Sequence, residues 1–298
     1  MSQIGSKGVT LGDVLRQVAD ALDAADLVYG HGTDNAWDEA VFLCLSALKM
    51  PLDSTDVVLN RIVNESQRAT IEQWLTERIE LRKPLPYITG EAWFAGKPYR
   101  VNSEVLIPRS PLAEVLQAQG RPWLHSPAQR ILDLCTGSGC IGIEAAHQFP
   151  NAVVDLVDIS STALDLARLN VTSHGLEHRI RCLQSDGFQS LQGQQYDLIL
   201  LNPPYVGSDE MADLPAEYRH EPVLALASGS DGLDLTRKLL REAANHLTAS
   251  GVLFLEVGLS AVALQDSFPD FPFLWLDFAQ GGQGVTVLTH EECLHFKA

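Results

Sequence analysis

The chain has 298 residues, 46% of them hydrophobic and 20% charged, with a formal net charge of −17. That balance excludes an intrinsically disordered chain, and no stretch approaches the roughly 18 to 20 apolar residues that span a bilayer. It also argues against a protein that grips nucleic acid, whose phosphates call for a basic face, and favours basic partners or small substrates.

Met1–Lys7 lacks the apolar core of a signal peptide. The five cysteines, at 44, 135, 140, 182 and 293, form no C-x-x-C pair. An odd number fits a reducing compartment, so a cytoplasmic protein is expected, without a metal site.

Residues 9 to 82 predict helices. Apolar periodicity covers Val9 to Leu27 and about Asn35 to Leu48, and a third helix starts near Asn64 with Gln67 as in a capping box. Pro51, Pro84 and Pro86 break the pattern. Between 86 and 111, Trp93, Phe94, Tyr99, Val101, Val105, Leu106 and Ile107 are β-prone and interrupted by Gly96, Lys97 and Pro98, which predicts a hairpin joining two domains. The expected division is a helical, substrate-binding domain over 1–85, a hairpin linker over 86–112 and a catalytic domain over 113–298.

From residue 130 strands alternate with helices. Strands are expected at Arg130–Leu134, Val153–Asp158, Arg179–Leu183, Tyr196–Leu201 and Gly251–Val257; helices at Cys140–Gln148, Ser161–His174 and Leu235–Leu247. Such alternation implies an α/β fold with a doubly wound parallel sheet. Phe273–Phe278 and Val285–Thr289 leave no room for a helix between them and predict an antiparallel pair at the sheet edge.

Two motifs fall at strand ends, where open α/β sheets bind ligands. After Ile131-Leu132-Asp133-Leu134 comes Cys135-Thr136-Gly137-Ser138-Gly139, whose glycines permit a sharp turn and close approach of a ligand. Asp158 ends the next strand, 21 residues after Gly137, where such folds hold a ribose; Asp186, after the third strand, lies on the same edge. The spacing fits a nucleoside cofactor but lacks G-x-G-x-x-G, and the absence of G-x-x-x-x-G-K excludes a P-loop. The second motif, Asn202-Pro203-Pro204-Tyr205, follows Tyr196–Leu201. Its prolines stop the strand and stiffen the loop. A planar nitrogen could donate its two hydrogens to the Asn202 side-chain oxygen and a loop carbonyl, with Tyr205 over its flat face.

Together these residues resemble the class I S-adenosylmethionine-dependent methyltransferases, whose Rossmann-like sheet closes with an antiparallel strand pair. The N-P-P-Y tetrad is similar to that of the branch acting on amide or amino nitrogens. More narrowly, the chain resembles the protein-glutamine N5-methyltransferases, which join a helical domain to the catalytic domain through a hairpin ending in L-I-P-R, here Leu106-Ile107-Pro108-Arg109. Tyr29–Asn35, Trp37-Asp38-Glu39-Ala40, Pro108-Arg109-Ser110-Pro111 and Leu214–Pro222 look like the ribosomal branch of that family, which modifies the third large-subunit ribosomal protein. Two departures stand out: Cys135 where many members carry Gly, and Gly187 where release-factor enzymes tend to have an aromatic ring beside the adenine.

The resemblance implies S-adenosylmethionine held by Asp133, Cys135, Thr136, Gly137, Ser138, Gly139, Asp158, Asp186, Gly187, Asn202 and Arg109. It implies a glutamine amide held by Asn202, Pro203, Pro204 and Tyr205, of which Asn202, Pro203 and Tyr205 serve catalysis. Arg109 fits a contact near the cofactor or a structural ion pair; His220 and Glu221 fit a structural pair as well as a catalytic one. The expected partner is the basic ribosomal protein, free or in an early assembly particle, with no membrane and no direct DNA binding. A release-factor glutamine methyltransferase shares the architecture. A DNA adenine methyltransferase shares the tetrad but should carry a basic recognition region, and none is visible.

Overall fold

A computed structural model of the chain describes residues 8–54 and 56–297. Residues 1–7, on which the reading of the N-terminus rests, lie outside the described residues. The rest falls into two compact units: residues up to Glu91 with Pro215–His220, and Ala92–Leu214 with Glu221 onward.

The first unit is helical. Helix α1, Leu11–Asp23, starts in a capping box in which Thr10 accepts from the Asp13 N–H and the Asp13 carboxylate reaches back. Its buried stripe, Leu11, Val14, Leu15, Val18 and Leu22, follows helical spacing and packs with Leu43, Cys44 and Ile71. Helix α2, Ala36–Ala47, is capped by Asn35. Helix α3, Glu65–Glu80, opens on the Asn64/Gln67 capping box that its sequence predicts. Pro84 and Pro86 do more than break the pattern. They start a short helix α4, Leu85–Thr89, since a proline in the first turn sacrifices no intrahelical bond. Arg78 is 1% exposed; its Nε donates to Glu39 and its other nitrogens to the Glu217 carboxylate and the Val28 carbonyl. Glu217 is thus held inside the helical unit. His220 lies beside the Leu81 carbonyl at 2.8 Å, not beside Glu221.

The hairpin is shorter than expected. Strands β1, Glu91–Phe94, and β2, Lys97–Arg100, meet at Ala95-Gly96, both with positive φ, a two-residue turn that suits the strand twist. Lys97 and Pro98 therefore belong to β2. Helix α5, Leu112–Gln117, follows.

The second unit continues with β3, Arg130–Leu134; α6, Cys140–Gln148; β4, Val153–Asp158; α7, Ser161–Ser173; β5, Ile180–Gln184; and β6, Tyr196–Leu201. Then come α8, Ser208–Asp213; α9, Val223–Leu226; α10, Asp234–Ala243; β7, Leu247–Glu256; α11, Ala261–Ser267; β8, Val285–Thr289; and α12, His290–Cys293. The sheet order is β5-β4-β3-β6-β7-β8, parallel except for β8, which runs antiparallel to β7. This is the class I methyltransferase sheet. Strand alternation divides the core: Ile131, Leu198, Leu200 and Phe254 face one layer, Leu132, Ile199, Leu201 and Leu255 the other.

Three expectations shift. The α10 helix stops at Ala243, and Leu247 already belongs to β7. Strand β5 begins at Ile180 instead of Arg179. Phe273–Phe278 forms no strand; Trp275 makes one antiparallel bridge to Thr286, and the Leu276 N–H bonds the Val285 carbonyl at 2.9 Å. Pro272 offers no N–H, and the Phe273 ring packs against Phe268, Phe271 and Phe296, so ring packing sets this segment's path instead of a ladder. Among the described residues no helix is long and apolar enough to cross a membrane.

Candidate active site

The sheet register decides what meets at its carboxyl edge. Leu134 is level with Val157 on one side and Leu201 on the other, and Asp158 is level with Gln184. The residues that follow these positions, Cys135, Ser185 and Asn202, therefore emerge side by side with Asp158. The order reverses between β3 and β6, the switch point at which such sheets open a crevice.

A cavity of about 430 Å³ occupies that crevice. Of the predicted site residues, Arg109, Cys135, Thr136, Gly137, Ser138, Asp158, Asp186, Gly187, Asn202 and Pro204 line it. Asp133, Gly139, Pro203 and Tyr205 do not. Asp133 lies beneath the turn, 1% exposed, its Oδ2 accepting from Thr136 Oγ1 at 2.5 Å and from the Gly142 N–H at 2.8 Å. Gly139 caps α6 with φ +83, and a Cβ there would lie 3.1 Å from Leu156, so it lets the helix sit close on the sheet. Pro203 is buried. The Tyr205 ring packs over Gly258.

The turn after β3 and the acid after β4 are joined directly. Asp158 Oδ2 accepts the Gly137 N–H at 2.9 Å and Oδ1 the Ser160 N–H at 2.9 Å. Burial raises the pKa of Asp158, against the pull of the N–H groups of Ser160, Gly137 and Ile159. A carboxylate with a backbone donor on each oxygen keeps further lone pairs for hydroxyls in the cavity. A Cβ on Gly137 would meet nothing within 4 Å, so the turn presents backbone to open space. These features suit a ribose and the flexible tail of a nucleoside cofactor.

Arg109 is both a wall of the cavity and a structural partner. Its guanidinium grips the buried Glu221 carboxylate in two bonds of 2.5 and 2.6 Å, and Glu221 also accepts the Ile107 N–H at 3.0 Å. Glu221 thus fixes the Leu106–Ser110 segment instead of pairing with His220. Asp186 is held by Lys238 at 2.8 Å and Gln189 at 3.1 Å. Gly187 has φ +59 and a Cβ there would lie 2.8 Å from Leu239, so the backbone packs close at that point, and the neighbouring Phe188 turns inward to stack on His246 at 4.4 Å between centroids. Ile159 and Leu235, which sequence reasoning did not single out, supply apolar wall, and Val105, Leu106 and Pro108 supply more, with Glu104 and Ser110 as polar lining. Ile159 could have been found as the residue following the strand-ending acid. Burial raises the Cys135 and Cys140 thiols well above their usual range, so both are poor nucleophiles. Among the described residues no group of three or more His, Cys, Asp or Glu side chains is placed to hold a metal ion.

Residues 111–217 match the model of the family described as "Methyltransferase small domain". The chain is 44% identical over 291 residues to the ribosomal protein uL3 glutamine methyltransferase of Francisella tularensis subsp. tularensis, covering 97% of this chain and 92% of that one. It is 46% identical over 285 residues to the enzyme of the same name from Bordetella pertussis, covering 95% and 96%. The chain belongs to the uL3 glutamine methyltransferase family. This family member also shares its fold with the hMettl16 catalytic domain, solved in complex with the MAT2A 3'UTR hairpin 6, at TM-score 0.52 and 13% identity over 78% of this chain and 85% of that one.

Proposed function

We propose that this chain methylates the side-chain amide nitrogen, N5, of a glutamine in ribosomal protein uL3, the third large-subunit protein, with S-adenosylmethionine as donor and S-adenosylhomocysteine as product. One observation carries the reading: Asn202 and Pro204 of the acceptor loop line the same cavity as the Gly137–Asp158 cradle. The names of the two close relatives supply the substrate.

S-adenosylmethionine brings a methyl on a sulfonium, an activated leaving group. The residues' work is positioning. Asp158 accepts the ribose hydroxyls, and the turn from Cys135 to Ser138 passes its backbone close to the cofactor's amino-acid end. Asp133 and Gly139 act from beneath by holding that turn. Asp186 and Gly187 border the base, with Ile159 and Leu235 as apolar walls. Arg109 shapes the rim through its bond to Glu221.

An amide nitrogen is a poor nucleophile because its lone pair is shared with the carbonyl. The Asn202 side-chain oxygen and the Pro203 carbonyl accept its two hydrogens and hold it within about 3 to 3.5 Å of the methyl carbon, favouring the charge that develops. Tyr205 packs beside the amide plane. After transfer the nitrogen would be acidic and its proton would pass to solvent water.

The acidic chain works in the cytoplasm on free uL3 or an early assembly particle, without a membrane and without direct binding of DNA. The test is transfer of labelled methyl from S-adenosylmethionine to separated ribosomal proteins, release factors and DNA. Label in uL3 is expected; label in release factors alone would replace this substrate with the other glutamine branch.

A further inference from the structure

The segment from Glu221 to Ser228 is anchored at both ends within the second unit. At its start, Glu221 accepts the Ile107 N–H and pairs with Arg109. At its end, the Val206 N–H donates to the Leu226 carbonyl at 2.7 Å, and the Ser228 N–H to the Val206 carbonyl at 3.0 Å. These bonds make a parallel bridge between Val206 and Ala227. In a parallel pairing, what precedes one strand lies beside what precedes the other. The acceptor loop, Asn202–Tyr205, precedes Val206, and α9 precedes Ala227. The register therefore sets α9 beside the acceptor loop. Pro222, Leu224 and Ala225 accordingly line the cavity together with Asn202 and Pro204.

Leu224 lines this cavity and is nevertheless 59% exposed. The other exposed residues of the lining are Glu104 and Ile159. Both belong to the cofactor half: Ile159 follows Asp158, and Glu104 accepts from Thr162 Oγ1 at 3.0 Å. Leu224 is thus the exposed apolar side chain at the acceptor half of the mouth. A glutamine side chain reaches only about 5 Å from its Cα to its amide nitrogen. A substrate that presents this nitrogen to Asn202 must bring its backbone to the mouth. The residues flanking the glutamine then rest on the rim, and covering Leu224 there removes apolar surface from water.

We propose that Leu224 is a substrate-binding residue: it receives the apolar surface of the uL3 residues that flank the acceptor glutamine and lays that chain across the cavity mouth. The inference rests on the amide-transfer reading given above. A rim contact of this kind is made before the reaction and kept through it, so its loss raises KM and leaves kcat.

The experiment measures initial rates on free uL3 for Leu224→Ser, Leu224→Met and Val153→Ser. Leu224→Ser is expected to raise KM for uL3 about fivefold to tenfold, with kcat and the KM for S-adenosylmethionine unchanged. Leu224→Met keeps an apolar side chain of similar volume and should stay within about twofold of the wild type. Val153 is 45% exposed at the amino end of β4, the edge opposite the cavity, and Val153→Ser should change nothing. A fall in kcat in Leu224→Ser would show that the turn only supports Val206 and the acceptor loop, and would overturn the proposal. An unchanged KM, or an equal rise in Val153→Ser, would overturn it too. If the wild type labels no uL3, the substrate reading and this inference fall together. If it labels uL3 and Leu224→Ser keeps the wild-type KM, this inference falls alone.

Discussion

The Gly137 N–H donates to Asp158 Oδ2 at 2.9 Å across 21 residues of chain. This bond ties the turn after β3 to the acid after β4, so one carboxylate both shapes the cradle and faces the cavity. The two tasks set what its loss should do.

Asp158→Ala is expected to weaken S-adenosylmethionine binding more than it disturbs the fold. Hydrogen bonds to a charged group contribute about 1.5 to 3 kcal/mol, or roughly tenfold to a hundredfold and more in affinity. Calorimetric titration of the folded variant with the cofactor decides it. Unchanged affinity would remove Asp158 from the site.

Asn202→Ala separates chemistry from binding. Removing an aimed polar group from the reacting centre typically costs on the order of 10² to 10³ in turnover. Cofactor affinity should stay near that of the wild type, because the cradle formed by Gly137 and Asp158 is untouched. Single-turnover methyl transfer at the wild-type rate would contradict the amide clamp.

The positions of these two residues were legible in the sequence for a physical reason. Buried parallel strands read as short apolar runs, and the polar residue that ends each run must emerge at the ligand edge, as Asp158 and Asn202 do. The cap of α3 was legible because Asn64 and Gln67 satisfy helix-end N–H groups through local bonds. What stayed hidden depends on contacts between distant segments. Glu256 reads as one polar residue inside the apolar run Gly251–Val257, and nothing near it in sequence announces its hydrogen bond with Ser110, 146 residues away. Glu221 and Arg109, 112 residues apart, are hidden in the same way. Phe273–Phe278 misleads in the other direction: its aromatic residues have strand propensity, but the Phe273 ring is drawn into the core beside Phe296.

Asp133 predicts a pH effect on stability. Burial pushes its carboxyl from 3.8 up to about 7, with the Asp158 charge acting in the same direction and the Thr136 and Gly142 donors opposing. Between those two values the folded carboxyl keeps a proton that the unfolded one has released. Its contribution to stability is therefore full below pH 3.8 and lost as pH rises through about 7. Both donors go to Oδ2, and Oδ1 has no hydrogen-bond partner among the described residues. An asparagine fits with its oxygen toward the donors and has no charge to bury. Asp133→Asn should thus gain stability relative to the wild type at pH 8 compared with pH 5, measured by denaturant titration at both. An equal difference at the two pH values would show that Asp133 does not titrate in this window.

The net charge of −17 bears on how the substrate arrives. Ribosomal proteins are generally basic, so free uL3 should be steered toward an enzyme of opposite sign, raising the association rate more than the final affinity. Exposed acids follow the acceptor loop directly, at Asp209, Glu210 and Asp213, so the attraction acts close to the site. Salt screens such charges over a Debye length of about 8 to 10 Å at 0.15 to 0.1 M. The KM for free uL3 is therefore expected to rise with ionic strength while kcat holds, since the amide geometry is not a long-range effect. The assembled ribosome presents phosphates of the enzyme's own sign and should be a poor substrate at every salt concentration. Initial rates on free uL3 and on mature large subunits across a salt series measure both statements. Faster methylation of the mature subunit than of the free protein would mean that recognition depends on assembled RNA and not on the charge of uL3 alone.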